Sequence, residues 1–304
     1  MKNEKFCVKA LMTVYYPGDE QLRHAKRCAR QVDELYICDN SPSDSKELFA
    51  GEQNMTYCWM RKNLGLSGAF NRLLADTSWG WKEDDWILFL DQDSVIPGRH
   101  IQKLVSTFTR LRKAGINVGC LGPVFYNKSR GSVEMPRLAR RLSTGEMVVS
   151  SIITSSMLCR YGDLKSIGFW NEEIFLDMAD WELCWRLRQK GYVCCMTKRT
   201  SFLHTVGEGE KRIGVLRLRV GKPFREYYET RDCLTLLKKS YTPPRYKLRF
   251  LAMLTVRPLL HLLFLDDAGQ RRYYIKKGIC DYRKKIYGGL ANDGYTDGPD
   301  DRSA

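Results

Sequence analysis

The chain has 304 residues, is 43% hydrophobic and carries a formal net charge of +15. That length and apolar content suit one large domain, or one domain with a helical appendix, and exclude bulk disorder. Between Lys211 and Lys285, 20 Lys and Arg stand against 6 Asp and Glu, so +14 of the excess lies in the last third, a local field that attracts phosphates, acidic headgroups or nucleic acid.

Apolar runs alternate with helical patterns through the first two thirds. Phe6 to Tyr15 reads as a strand closed by the turn signal Tyr16-Pro17-Gly18, and Gln21 to Val32 follows at helical spacing. Glu34 to Cys38 is a second strand, stopped by Asp39-Asn40-Ser41-Pro42, and Thr56 to Met60 is a third. Leu66 to Leu74 reads as a helix, Trp86 to Leu90 as a strongly apolar strand, Gly98 to Lys113 as a helix and Ile116 to Cys120 as a strand. This rhythm predicts an α/β fold: an open, mainly parallel sheet flanked by helices, with ligands beyond the carboxyl ends of its strands. The boundaries expected are a nucleotide-binding and catalytic domain over 1–210, a basic helical region over 211–290 and a disordered Gly/Asp-rich tail over 291–304.

Eleven cysteines are present, but no C-x-x-C pair occurs and most lie in apolar runs, where a free thiol packs as a small hydrophobe. With a charged start running straight into a strand and no leader pattern, the expectation is a reduced, cytoplasmic protein. The best candidate for a membrane span, Phe250 to Leu265, is interrupted by Arg257, Pro258 and His261 and is shorter than the roughly 20 apolar residues a crossing needs. It reads either as a helix lying on a membrane surface or as a buried helix of a subdomain.

Three polar clusters carry chemistry. In Asp91-Gln92-Asp93-Ser94, residues i and i+2 of an extended segment point the same way, so both carboxylates can face one ligand; beside a diphosphate they suit Mg²⁺ or Mn²⁺. The bland alternative is a helix cap and a solvated carboxylate. Asn63-Leu64-Gly65-Leu66-Ser67-Gly68-Ala69-Phe70-Asn71 follows a strand and opens a helix, where small residues let a phosphate approach or merely let the helix pack. Asp177, Asp180 and Glu182 lead into an amphipathic helix; capping explains one or two of them, and the third suggests a carboxylate held to accept a proton. His204 follows a strand-like stretch and is either structural or a metal ligand.

Taken in order, these segments resemble the family 2 glycosyltransferases, in particular the bacterial rhamnosyltransferase-like branch. The matching features are Thr13-Val14-Tyr15-Tyr16-Pro17, Asp39-Asn40-Ser41, Asn63-x-Gly65-x-x-x-Ala69-x-Asn71, Leu90-Asp91-Gln92-Asp93-Ser94, Asp177-x-x-Asp180-x-Glu182, His204-x-x-Gly207 and Tyr227-Tyr228-x-x-Arg231-Asp232, spanning residues 6 to 288. The resemblance implies a GT-A fold and inverting transfer by single displacement. By position it implies Asp39 on the nucleobase with Thr13 and Tyr15 lining that pocket. Asn63, Gly65, Asn71 and Gln92 would border the nucleotide-sugar, and Arg231 the pyrophosphate. It further implies Asp93 on a Mg²⁺ or Mn²⁺ ion with Asp91 and His204, Asp180 as catalytic base, and Asp177 and Glu182 positioning base or acceptor. Ser156 stands where the family has glycine and Asp232 where asparagine is common.

The Asp-Gln-Asp-Ser form points to dTDP-L-rhamnose as donor, with UDP-galactose or galactofuranose as the alternative. The implied acceptor is a polyprenyl-diphosphate-linked glycan of O-antigen or cell-wall polysaccharide biosynthesis, met at the cytoplasmic face by a protein held peripherally on an anionic membrane surface. A nucleic-acid-binding module is the competing class; no nucleic-acid motif appears, and none is expected as partner. A non-catalytic partner of another transferase is a third reading, and retention of both acidic sites argues against it.

Overall fold

The computed structural model describes residues 7–127, 131–136, 138–204, 210–213, 216–265 and 267–290. Gly207 and the tail from residue 291 lie outside them. In chain order the elements are β1 (Val8–Val14), α1 (Asp19–Ala29), β2 (Glu34–Asp39), α2 (Lys46–Phe49), β3 (Met55–Trp59), α3 (Gly65–Leu74), β4 (Trp86–Asp91), α4 (His100–Lys113) and β5 (Val118–Asn127). There follow β6 (Ser132–Glu134), β7 (Arg140–Arg141), β8 (Met147–Val149), β9 (Met157–Arg160), α5 (Tyr161–Ser166), α6 (Ala179–Gln189) and β10 (Val193–His204). The basic third holds the hairpin β11 (Glu210–Ile213) and β12 (Leu216–Arg219), then α7 (Arg225–Lys238), α8 (Pro244–Phe264) and α9 (Ala268–Arg283).

The main sheet runs β3-β2-β1-β4-β9-β5-β10-β8-β7, with β6 paired to β5. Its first four strands are parallel, as β-α-β sequence rhythm requires. The expectation of a mainly parallel sheet holds: β10 also runs parallel to β5, while β9 enters antiparallel between β4 and β5 and β8 runs antiparallel to β10. The sheet is mixed.

Successive strand residues face opposite sides, so each buried strand feeds two cores. On one face Leu11, Ile87 and Phe89 pack with Phe70, Trp170 and Trp185; on the other Ala10, Met12, Leu88 and Leu90 pack with Leu104 and Phe108. Cys233, Leu236 and Phe250 of the basic third belong to the first of these cores. The helical region is therefore built onto the sheet domain through shared apolar packing.

Strand β1 is flanked by β2 on one side and β4 on the other, with Thr13 in register with both Cys38 and Asp91. Chain order reverses at β1, and a crevice opens outside the carboxyl ends of such strands.

Candidate active site

An open cleft of about 3060 Å³ lies at that crevice. Thr13 and Tyr15 reach it from the end of β1, Asp91, Gln92 and Asp93 from the end of β4, and His204 from the end of β10. Asn63, Gly65 and Asn71 come from the start of α3 and its first turns, and Asp177 and Asp180 from the approach to α6. Carboxylates from distant stretches of sequence thus share one hollow.

The walls are held by hydrogen bonds between loops. Gln92 Oε1 accepts the Tyr15 N–H at 2.8 Å, tying the ends of β1 and β4 together. Asn63 Oδ1 accepts the Gly65 N–H at 2.9 Å, which starts α3 with a side-chain turn. Asn40, beside the expected Asp39, braces the same turn: its amide donates to Gly65 O at 3.1 Å and its carbonyl accepts from Leu64 N at 3.1 Å. Gly65 has φ +70°, and a Cβ there would stand 2.5 Å from the Phe175 carbonyl oxygen, so a side chain is excluded. Asn71 spends its amide on the Trp170 backbone and on Glu172.

The two carboxylates after β4 meet the cleft through a turn rather than an extended strand, Asp91 closing the strand and Asp93 lying in the turn. Ser155 Oγ donates to Asp91 Oδ2. Burial, then the neighbouring Asp93, lifts the Asp91 carboxyl to about 6, against the lowering effects of Ser155 and His204. Ser155 is presented by a backbone kink at Ser156, which has φ +66° and lies fully buried. That is a glycine conformation; here the serine hydroxyl bonds His100 Nε2 at 2.6 Å and its N–H donates to Phe89 O at 2.8 Å. The departure from glycine at 156 is thus matched by a buried hydroxyl–imidazole bond.

Asp93 Oδ2 lies 3.4 Å from His204 Nδ1, and that nitrogen is buried with no hydrogen-bond partner among the described residues. An orphaned imidazole nitrogen facing a carboxylate, with Asp91 alongside, is a donor set that fits a divalent cation of the manganese or magnesium type. The three would have to draw together around an ion, since among the described residues only a cysteine cluster gathers three ligand atoms within 4.8 Å of one another.

Across the cleft, Asp180 stands at the start of α6, its Oδ1 accepting the Trp181 N–H at 2.7 Å. Burial foremost, with the neighbouring carboxylates Asp91 and Asp177 adding negative charge, pushes its carboxyl well above the ordinary carboxylate range. Asp177 is ion-paired with Arg225, and its Oδ2 is buried without a partner among the described residues.

Three expected site residues lie off the cleft. Glu182 is fully buried, paired with Arg186 Nε at 2.8 Å and accepting from Tyr241 Oη at 2.5 Å and Asn171 Nδ2 at 3.1 Å; it is a strut between α6 and its neighbours. Arg231 is fully buried on α7, donating to Asp232 Oδ1 at 3.1 Å, Tyr227 Oη at 3.1 Å and Gly288 O at 2.7 Å, and its side chain does not line the cleft. Asp39 is also fully buried, its oxygens taken by Ser41 N at 2.8 Å and Tyr57 Oη at 2.7 Å, and it does not line the cleft. The structure adds the cations Arg61, Lys62, Arg72, Lys222 and Arg225 to the cleft lining. The adjacent Arg61-Lys62 before the Asn63 turn was the signal in sequence.

Residues 22–165 match the family model described as glycosyl transferase family 2. Over 204 residues the chain is 26% identical to a dTDP-rhamnosyl transferase, RfbF, of Shigella flexneri, covering 64% of this chain and 66% of that protein, just under two thirds of its length. Among solved structures, S. aureus TarS aligns with a TM-score of 0.57 at 13% identity over 92% of this chain and 49% of that one. TarS 1-349 in complex with UDP-GlcNAc aligns at 0.55 and 13% identity over 92% of this chain and 82% of that one. GalNAc-T7 with UDP, GalNAc and Mn²⁺ aligns at 0.52 and 10% identity over 92% of this chain and 57% of that one. At these identities the structural likenesses establish a shared fold.

Proposed function

We propose that this chain, whose residues 22–165 match the model of glycosyl transferase family 2, is a member of that family and transfers a sugar, L-rhamnose from dTDP-L-rhamnose, to an acceptor hydroxyl with inversion. The observation that carries this reading is the placement of Asp93 and Asp180 in one cleft, the first beside an unpartnered imidazole and the second with its basicity raised by burial. The similarity to a dTDP-rhamnosyl transferase supports the donor.

In this reading Thr13, Tyr15, Asn63 and Gln92 border the nucleotide, and Arg61, Lys62 and Arg72 surround the diphosphate with positive charge. Asp91, Asp93 and His204 would hold a Mn²⁺ or Mg²⁺ ion, which supplies charge stabilisation for the departing diphosphate. Asp180 removes the proton from the acceptor hydroxyl as its oxygen bonds to the anomeric carbon. The bond from that carbon to the diphosphate oxygen breaks on the opposite face, so configuration inverts and the electron pair leaves with the nucleoside diphosphate. Asp177 and Arg225, paired at the cleft wall, orient the incoming alcohol.

The acceptor we infer is a polyprenyl-diphosphate-linked glycan of bacterial surface polysaccharide, met on an anionic membrane surface. Support comes from α8. Its inner side buries Phe250 and His261, while Leu248, Leu251, Val256, Leu259 and Leu263 are each at least half exposed and recur at helical spacing. Lys247 and the exposed Arg245 and Arg249 stand at one end of that stripe. No helix among the described residues is long and apolar enough to cross a membrane. An apolar stripe with a cationic collar suits a helix lying in the headgroup layer.

A panel of dTDP-L-rhamnose, UDP-galactose, UDP-galactofuranose and UDP-GlcNAc, each with and without Mn²⁺, tests the donor by thermal shift and by release of nucleoside diphosphate. A stabilisation that needs dTDP-L-rhamnose and is deepened by Mn²⁺ is expected; a larger response to a UDP-sugar would replace the donor, and no response to any would remove the reading.

A further inference from the structure

Cys120 on β5, Cys194 on β10 and Cys184 on α6 are fully buried, and their sulfurs all lie within 4.8 Å of one another. Cys120 and Cys194 are cross-strand partners on one face of the sheet, and α6 lays Cys184 over them, 3.8 Å from Cys120 Sγ. The surroundings are apolar, with Ile152, Leu183, Trp185, Leu187 and Met196 in the same core. Three free thiols in such a pocket pack as small hydrophobes when nothing is bound. Their spacing also has a definite coordination meaning. Three sulfurs placed trigonally at a metal–sulfur distance of about 2.3 Å stand about 4 Å apart, within the range found here.

We propose that this triad is a binding site for one soft, thiophilic d¹⁰ cation held by three sulfurs. Sulfur without oxygen or nitrogen ligands selects such ions over Mg²⁺, Ca²⁺ or Mn²⁺, which separates this site from the carboxylate–imidazole set in the cleft. Loading displaces thiol protons to solvent as the metal–sulfur bonds form. Its consequence reaches the cleft through the backbone. Cys184 follows Asp180 by one helical turn on α6, and Cys184 Sγ accepts the Ile152 N–H at 3.4 Å. Ile152 leads directly into Ser155, the partner of Asp91. A bound ion cross-links α6, which carries Asp180, to β5 and to β10, which ends at His204.

The test loads the reduced 304-residue chain anaerobically with Cu⁺, removes loose metal with a competing chelator and counts retained ions by native mass spectrometry, with Mn²⁺ as the comparison. The expected result is one retained Cu⁺ per chain and no retained Mn²⁺. That Cu⁺ should be lost in each of Cys120→Ala, Cys184→Ala and Cys194→Ala and kept in Cys159→Ala and Cys280→Ala. Retention of no ion by the wild-type chain, or loss that tracks Cys280, overturns the proposal. Should the triad variants misfold by circular dichroism, X-ray absorption of the loaded wild-type protein decides: three sulfurs near 2.3 Å support the site, and oxygen or nitrogen ligands or a different sulfur count refute it. None of these readouts depends on sugar transfer.

Discussion

Asp93 Oδ2 and His204 Nδ1 stand 3.4 Å apart although their strands, β4 and β10, are separated in the sheet by β9 and β5. The chain leaving β4 crosses over that gap and forms a bridge between Val95 and Leu203, which sets the two side chains face to face at the cleft. Their separation is long for a hydrogen bond and suits a shared ion. His204→Ala is therefore expected to weaken Mn²⁺ binding, measured by calorimetric titration in the presence of nucleoside diphosphate, by about 10-fold or more. Asp93→Ala should weaken it further. Unchanged Mn²⁺ affinity in both variants would place any ion elsewhere.

Asp91 works against the stability of the fold. With its folded pKa raised from 3.8 to about 6, the contribution it makes is fully present below the unfolded value and is lost as pH rises through about 6. Asp91→Asn removes the buried charge and can still accept from Ser155. It should raise stability at pH 7.5 by about 1 to 2 kcal/mol, with the difference vanishing below pH 4, as followed by urea unfolding. The same variant should lose most of its Mn²⁺-dependent nucleotide binding. A less stable Asp91→Asn at pH 7.5 would contradict the burial argument.

Asp180→Asn keeps the shape of the cleft and removes the proton acceptor. Transfer should fall about 10²- to 10⁴-fold in kcat while nucleotide affinity stays within a small factor. Because burial raises the Asp180 carboxyl, wild-type turnover should climb with pH until that group is ionised, and the variant's residual rate should lack that limb. Wild-type turnover in the variant would remove Asp180 from the chemistry.

Much of this architecture was legible in the sequence, and what was not has physical causes. The parallel half of the sheet announced itself through apolar runs stopped by Asp39 and Asp91, because strand ends facing a crevice are where a buried run can turn polar. Strand β9 did not, since Met157–Arg160 is four residues long and its antiparallel place between β4 and β5 is decided by tertiary packing. Glu182 could have been separated from Asp180 on helical geometry alone, because residues two apart on a helix point to different sides. Arg231 could not: Tyr-Tyr-x-x-Arg-Asp on α7 gives no sign of which face is covered, and the covering carbonyl, Gly288, comes from 57 residues away. The cysteine triad is likewise invisible in spacing, Cys120 and Cys184 standing 64 positions apart.

The buried Arg231–Asp232 pair explains how an aspartate is accepted where asparagine is common. Asp232 takes the Phe175 N–H at 3.2 Å, so it fastens α7 to the segment leading to Asp177 and Asp180. Burial lifts its carboxyl to about 7 in spite of Arg231, which makes the neutral amide a close substitute. Arg231 keeps Tyr227 Oη, Gly288 O and the faces of Tyr227 and Tyr228 if the charge is removed. Asp232→Asn keeps the Phe175 bond and leaves Arg231 its other acceptors, so it should cost less than Arg231→Met, which strips Tyr227, Gly288 and Asp232 of their buried donor, as measured by urea unfolding. Equal costs would mean that the ion pair, rather than the hydrogen bonds around it, holds this joint.

The exposed stripe of α8 gives the most direct test of where the protein works. Leu251 and Leu259 are 50% and 61% exposed, so changing both to Asp removes no core packing and should leave the unfolding midpoint nearly unchanged. On an anionic membrane the same pair would lie toward the acyl boundary, where two carboxylates oppose both burial and the surface potential. Flotation with vesicles containing phosphatidylglycerol should recover the wild-type chain in the lipid fraction and the double variant in the soluble fraction. High salt should weaken wild-type recovery without abolishing it, because the leucines contribute apart from the cationic collar. Wild-type protein that stays soluble with such vesicles would reject membrane docking; if it also sedimented as a dimer that the double variant cannot form, the stripe would instead be the contact between two copies.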